Sequence, residues 1–213
     1  MPRVLITGAN RGLGLEFVRQ YKHDGWDIIA TARETSQELA AVDVPVESLD
    51  MRDLDAVERF GKGIDRLDLL MANAGLYGPR AVHDAEAGRD WTETFVVNTI
   101  APFLLGQTLV RTGAKLIAIS TRMGSIEDNT SGGFIAYRSS KTALNSAWRS
   151  LAIDNPNVIC AVLHPGWVQT RMGGASAPLS PQDSIAGMRK VIDGLGREQS
   201  GGFFAYDGTT VPW

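Results

Sequence analysis

Val4-Leu5-Ile6-Thr7-Gly8-Ala9-Asn10-Arg11-Gly12-Leu13-Gly14 is the stretch that decides the fold. An apolar, β-branched run suited to a strand breaks into a glycine-rich turn, after which Leu13, Phe17, Val18 and Tyr21 line one helical face up to Asp24-Gly25. One strand, one turn and one helix follow. A turn so placed can bind a pyrophosphate. Gly8, Gly12 and Gly14 can supply the tight turn, the close backbone approach and the helix–strand packing, while unpaired N–H groups at the helix start face the anion. The spacing is not the common G-x-G-x-x-G, so the turn alone leaves both an ordinary turn and a cofactor site open.

The same alternation of short apolar runs and longer amphipathic stretches continues along the chain. Further strands are expected at Ile28 to Ala32, Val44 to Leu49, Leu67 to Ala72, Leu116 to Ser120, Val158 to Leu163 and Gly202 to Tyr206. This pattern predicts an α/β fold, a doubly wound parallel sheet of about seven strands flanked by helices. Long helices are expected from about Arg89 to Val110, carrying Trp91, Phe95, Ile100, Phe103 and Leu104, and from about Tyr137 to Ile153. Segments 122–136 and 171–183, rich in Gly, Ser, Thr, Asn and Pro, read as loops near a site. With 213 residues and no linker, the chain is expected to form a single domain over 1–213.

Composition removes several functional classes. The net charge is -3 and the basic residues are scattered, so no electrostatic footprint for nucleic acid exists. Cys160 is the only cysteine, which forbids an intrachain disulfide, and His23, His83 and His164 share no metal-ligand spacing. No metal is expected. Met1-Pro2-Arg3 leads into an apolar run too brief for a signal peptide, and no run approaches the ~20 apolar residues of a spanning helix. A cytoplasmic protein with no membrane partner is expected.

Tyr137 and Lys141 stand four residues apart on an expected helix, so they share a face. A free tyrosine titrates near ~10, and a neighbouring ammonium would favour its phenolate and bring it within reach of neutral-pH proton exchange.

The spacing Thr7-Gly8-x-x-x-Gly12-x-Gly14, with Asn73-Ala74-Gly75, Asn98, Tyr137-Arg138-Ser139-Ser140-Lys141 and Pro165-Gly166-Trp167-Val168-Gln169-Thr170 in that order, resembles the short-chain dehydrogenase/reductase family. The resemblance covers nearly the whole chain. Gly124-Ser125-Ile126, Asn129 to Gly133, and Tyr206-Asp207-Gly208 with Pro212-Trp213 look like its C-factor-like and sniffer-like branch of carbonyl reductases. It implies a Rossmann fold and an oxidoreductase that moves a hydride between nicotinamide and a carbonyl or alcohol. Tyr137 would be the general acid/base. Lys141 would bind the nicotinamide ribose, and Asn98 would anchor a water relay, although a buried Asn bonded to backbone is the plain alternative.

The substrate-binding hydroxyl departs from the family pattern. Where a Ser-Ser pair is usual the chain has Ser120-Thr121, so Thr121 takes the position, with Ser125 as understudy. Its interval of sixteen residues to Tyr137 is long, so loop 122–136 is expected to bulge over the pocket. By the same resemblance Gly8, Asn10, Arg11, Gly12, Leu13, Gly14, Asp50, Met51, Asn73, Ala74, Gly75, Pro165, Gly166, Val168 and Thr170 join Tyr137 and Lys141 around the cofactor. Asp50 would accept from the adenine amine, or else cap a helix.

The second strand ends Ala32-Arg33. An acidic residue there would hold the ribose hydroxyl of NAD(H), whereas Arg33, aided by Arg11, can pair with the 2′-phosphate of NADP(H). NADP(H) is therefore expected, with adjacent Glu34 the complication. Tyr77, Met123, Phe134, Trp167 and Met172 in the loops suggest an apolar small-molecule substrate. His164 is expected to be structural. The resemblance also implies a homodimer or homotetramer through helices 89–110 and 136–153. Two rival readings are a non-catalytic NADP-binding sensor or signalling protein, and a nucleotide-sugar epimerase or dehydratase, which would need a larger C-terminal domain.

Overall fold

Burial on both faces explains why the strands read as continuous apolar runs. In β1 (Arg3–Thr7), Val4 and Ile6 enter the core beneath α1 (Gly12–His23), while Leu5 enters the core on the opposite face, and all three are fully buried. The computed structural model describes residues 1–213. β1 pairs in parallel with β2 (Asp27–Ala32), which pairs with β3 (Val46–Ser48). On its other side β1 pairs with β4 (Leu69–Ala72), followed by β5 (Lys115–Ile119), β6 (Cys160–His164) and β7 (Gly202–Ala205), all parallel. The order is β3-β2-β1-β4-β5-β6-β7. The chain therefore has the doubly wound, Rossmann-type α/β fold expected, with its seven strands.

α1 packs on one face with α7 (Pro181–Gly194), whose Ile185, Met188 and Ile192 share a core with Phe17, Val18 and Tyr21. The other face is covered by α3 (Leu54–Lys62), α5 (Ala101–Leu109) and α6 (Ile135–Asp154). Trp148 anchors α6 there, its indole N–H donating to the Leu116 carbonyl at 2.9 Å. A Cβ on Gly106 would come within 3.0 Å of that ring, so α5 and α6 lie close together. Each large side chain so buried contributes on the order of 1.5–3 kcal/mol. No helix is long and apolar enough to cross a membrane.

Several boundaries differ from the sequence expectation. The third strand starts at Val46 rather than Val44, because Asp43 adopts φ 56° and Pro45 has no N–H to donate. The sixth starts at Cys160 because the Val158 N–H turns back to the Asn155 carbonyl. Helix 89–110 is three pieces: α4 (Ala85–Phe95), a π turn (Val96–Ile100) and α5. Segment 171–183 is not all loop, since Ser180 caps α7 by accepting from the Asp183 N–H and Pro181 opens the helix. The short α2 (Gln37–Ala40) and α3 are capped in the same way by Ser36 and Asp53. The cap of α3 is thus Asp53, three residues past Asp50, and the N-cap alternative for Asp50 falls away.

β1 and β4 are neighbours from which the chain runs outward in opposite directions. The crevice of a doubly wound sheet opens at such a switch point, at the carboxyl ends of the strands.

Candidate active site

The turn after β1 is built from two backbone approaches that only glycine permits. A Cβ on Gly8, which has φ 66°, would lie 2.9 Å from the Ala74 Cα, and one on Gly14 would lie 2.2 Å from the Gly8 carbonyl oxygen. Thr7 and Asn73 lock the two loops together. The Thr7 hydroxyl accepts from the Asn73 and Ala74 N–H groups at 3.0 and 3.1 Å. The Asn73 side chain donates to the Thr7 carbonyl at 2.9 Å. Asn73 thus acts on the turn itself. Asn10 is likewise engaged within the chain, accepting from the Ser36 N–H at 2.6 Å, which ties the segment after β2 to the turn. Thr7 and Ser36 are positioning residues missing from the expected set, and Thr7 was signalled by its place before the first glycine.

The start of α1 fits an anion. No side chain caps it, its N-cap is Arg11, and its first turn, which includes Leu13, holds no acidic residue. Arg11 and Arg33 are both exposed and neither joins an ion pair. Asp50 is engaged: its carboxylate takes two bonds from Arg52 Nε and one of 2.7 Å from Nη2. Those hydrogen bonds hold it below the usual carboxylate range. Met51 beside it is buried in the core.

The groups expected to transfer protons gather at the carboxyl ends of β4 and β5. Lys141 is 4% exposed and donates from Nζ to the Ile119 carbonyl at 2.7 Å. A Cβ on Gly75 would lie 3.6 Å from that nitrogen, so the Asn73-Ala74-Gly75 loop passes directly beside it. Burial lowers the Lys141 pKa to about 8. Tyr137, one turn earlier on α6, is 8% exposed. Burial pushes its phenol above the ordinary value, with Tyr77 adding in the same direction. In the chain alone the direction is therefore set by burial rather than by the ammonium that the sequence suggested.

Asn98 lies within the π turn, fully buried. Its side chain accepts from the Leu76 N–H at 2.9 Å and donates to the Leu76 carbonyl at 2.8 Å and to Ser140 Oγ at 3.0 Å. The amide therefore fixes the loop beside Lys141, and the extra residue of the π turn aims it there.

Ser120 and Thr121 have different environments. The Ser120 hydroxyl is buried and donates to Asn145 on α6 at 2.6 Å. Thr121 is half-buried, in extended conformation, and its hydroxyl accepts from the Met123 N–H at 3.2 Å, leaving its O–H to donate elsewhere. Ser125 is 1% exposed and accepts from the Asp128 N–H at 3.1 Å, which turns it into its own loop.

A third loop folds back over the glycine turn. The Thr170 methyl lies 3.6 Å from where a Gly12 Cβ would be. Val168 bridges to Leu179, the Pro165 carbonyl accepts from Ser184 Oγ at 2.6 Å, and Gly166 takes φ 85° against Leu179 and Tyr206. His164, at the end of β6, is pushed down to about 4 by burial, and its Nδ1 has no partner. It is neutral near pH 7. Tyr77 meets Tyr137 edge-on at 4.6 Å and Phe134 at 5.8 Å, forming one wall beside the phenol.

The comparisons with known proteins agree on family and fold. The model of the family described as short chain dehydrogenase matches residues 2–178. The chain is 44% identical to the C-signal protein of Myxococcus xanthus over 154 residues, 69% of this chain and 93% of that one. Among solved structures, carbonyl reductase Sniffer of D. melanogaster superposes with a TM-score of 0.90 at 34% identity, covering 100% of both chains. The NADPH-bound carbonyl reductase from chicken fatty liver superposes with a TM-score of 0.89 at 30% identity, covering 100% of this chain and 99% of that one. The chain belongs to the short-chain dehydrogenase/reductase family, in a branch with C-signal and sniffer-type carbonyl reductases.

Proposed function

We propose that the protein is an NADP(H)-dependent oxidoreductase that interconverts carbonyls and alcohols, with Tyr137 as general acid/base. The observation that carries this reading is the placement of Tyr137 and Lys141 on one turn of α6 at the carboxyl ends of β4 and β5: Nζ of Lys141 rests on the Ile119 carbonyl, beside Gly75. The NADPH-bound state of the chicken liver relative supports the same cofactor. The uncapped start of α1, with Gly8, Gly12, Leu13 and Gly14, would hold the pyrophosphate, and Arg33 with Arg11 would take the 2′-phosphate. Asp50 and Met51 would border the adenine. Ala74 and Gly75 would border the ribose, and Pro165, Gly166, Val168 and Thr170 the carboxamide.

When bound, NADPH supplies the hydride. Thr121 donates a hydrogen bond to the substrate oxygen, and the Tyr137 phenol, kept protonated by burial, delivers its proton to that oxygen as negative charge develops there. Lys141 then faces the resulting phenolate and stabilises it. Because the Asn98 side chain is engaged with Leu76, a relay water would rest on the main chain of the π turn. The apolar side chains Tyr77, Met123, Phe134, Trp167 and Met172 favour an apolar carbonyl compound. A panel of aldehydes and ketones, followed by loss of NADPH absorbance, tests the reading: turnover is expected with NADPH and much weaker turnover with NADH.

The likeness to C-signal favours a second reading, in which the chain binds NADPH to signal. Tight NADPH binding with no turnover across the panel would select it.

A further inference from the structure

Phe134 occupies a backbone conformation that a bulky residue ordinarily avoids. Gly132, Gly133 and Phe134 stand in succession at φ 63°, 70° and 49°. The two glycines accept the left-handed region freely, but Phe134 carries a Cβ and an aromatic ring into it. A glycine in its place would start α6 without strain. Strain of this kind persists only where the surroundings over-determine it, and it gathers at functional sites.

The surroundings that do so are visible. Arg138, on the turn of α6 between Tyr137 and Lys141, grips the loop with its whole fork. Its Nε reaches the Gly132 and Gly133 carbonyls, both at 3.1 Å. Its Nη1 reaches the Met123 carbonyl at 3.3 Å, and Nη2 the Ser131 hydroxyl at 2.9 Å. The two ends of the loop are thereby drawn onto one guanidinium. The Phe134 ring is then held 5.8 Å from Tyr77, with the Arg80 guanidinium 5.2 Å from its centroid. Tyr77 in turn lies edge-on to Tyr137. On the loop after β6, Trp167 is 57% exposed yet pinned by its indole N–H to the Gly173 carbonyl at 2.7 Å, so a second ring is fixed without being covered.

We propose that Arg138 is a positioning residue whose clasp holds Phe134 against Tyr77, and that this aromatic wall beside Tyr137 selects carbonyl substrates bearing a planar aryl group. The proposal deepens the reading of Tyr137 as proton donor and rests on it. Aromatic edges and faces attract one another beyond their shared burial, by roughly two- to tenfold in affinity for each ring pair. A cyclohexyl ring of similar size lacks that attraction. Lysine cannot replace the fork, because one ammonium does not span carbonyls on both ends of the loop.

The test compares benzaldehyde with cyclohexanecarbaldehyde under NADPH, in wild type and in Arg138→Ala, Arg138→Lys, Phe134→Leu and Phe134→Gly. Each variant is expected to raise KM for benzaldehyde roughly two- to tenfold more than KM for the cyclohexyl compound, with little change in Kd for NADPH. Arg138→Lys should fail to rescue. Phe134→Gly guards against mere misfolding, since it relieves the strained φ and should raise Tm while losing the aryl preference. Unchanged relative KM values in Arg138→Ala and Phe134→Gly would overturn the proposal. Should no carbonyl be turned over, the failure belongs to the reductase reading. Calorimetric binding of benzyl alcohol against cyclohexylmethanol to the NADP⁺ complex then decides: tighter aryl binding that Phe134→Gly abolishes supports the wall, and equal binding refutes it.

Discussion

Lys141 is the residue in which folding and chemistry conflict most openly. An unfolded lysine titrates near 10.5, whereas burial brings Lys141 to about 8. Between those values the unfolded chain holds more protons than the folded one, so stability rises with pH across the window and is lost again as pH falls through it. Below it the full penalty of the buried ammonium applies, on the order of 3 kcal/mol. Lys141→Met is expected to abolish turnover yet raise Tm by several degrees at pH 7, with the gain disappearing above pH 10.5. A lower Tm at pH 7, measured by scanning calorimetry, would contradict this. Arg33 offers a second test at the same scale. Arg33→Asp removes a charge-assisted bond to a 2′-phosphate, so NADPH affinity should fall roughly ten- to hundredfold while NADH affinity changes little. Equal losses in a titration with both cofactors would remove Arg33 from the site. That Tyr137 and Lys141 share one face of α6 was legible because four residues make about one helical turn. The raised Tyr137 phenol was not, since burial depends on Tyr77, which arrives from sixty residues earlier in the chain.

Among the elements, the turn after β1 depends most strictly on its backbone. Gly14→Ala would set a methyl 2.2 Å from the Gly8 carbonyl, an atom that cannot rotate away. The expected cost is about 1–3 kcal/mol of stability, seen as a Tm fall of several degrees, together with loss of NADPH binding. Unimpaired cofactor binding in that variant would show that the turn is not the pyrophosphate cradle. The inner strands were legible because a parallel sheet buries both faces and leaves unbroken apolar runs, whereas the edge strand β3 carries exposed Glu47 and Ser48. Strand ends were less legible, as at Val46, where Pro45 and Asp43 act through backbone geometry. The π turn at Val96–Ile100 was hidden because its apolar residues continue the helical rhythm on either side. The clasp of Arg138 left no sequence pattern either: its partners are mostly backbone carbonyls, and only the fold brings them within reach.

At the scale of the molecule, Ile100, Ile135 and Ile153 are 44%, 46% and 65% exposed at the ends of α5 and α6. Light scattering is expected to give two or four times the chain mass, and Ile135→Glu with Ile153→Glu to lower it. A monomeric wild type would end that expectation.

The proposed function comes down to one transfer: a hydride to carbon and a proton from Tyr137 to oxygen. The most direct measurement supplies NADPH deuterated at nicotinamide C4 with a carbonyl substrate, and follows the alcohol by mass spectrometry in wild type and Tyr137→Phe. One deuterium on the carbinol carbon is expected, with the rate in Tyr137→Phe reduced by ~10²–10⁴ and NADPH binding retained. An unlabelled alcohol, or a Tyr137→Phe enzyme as fast as wild type, would contradict the assignment.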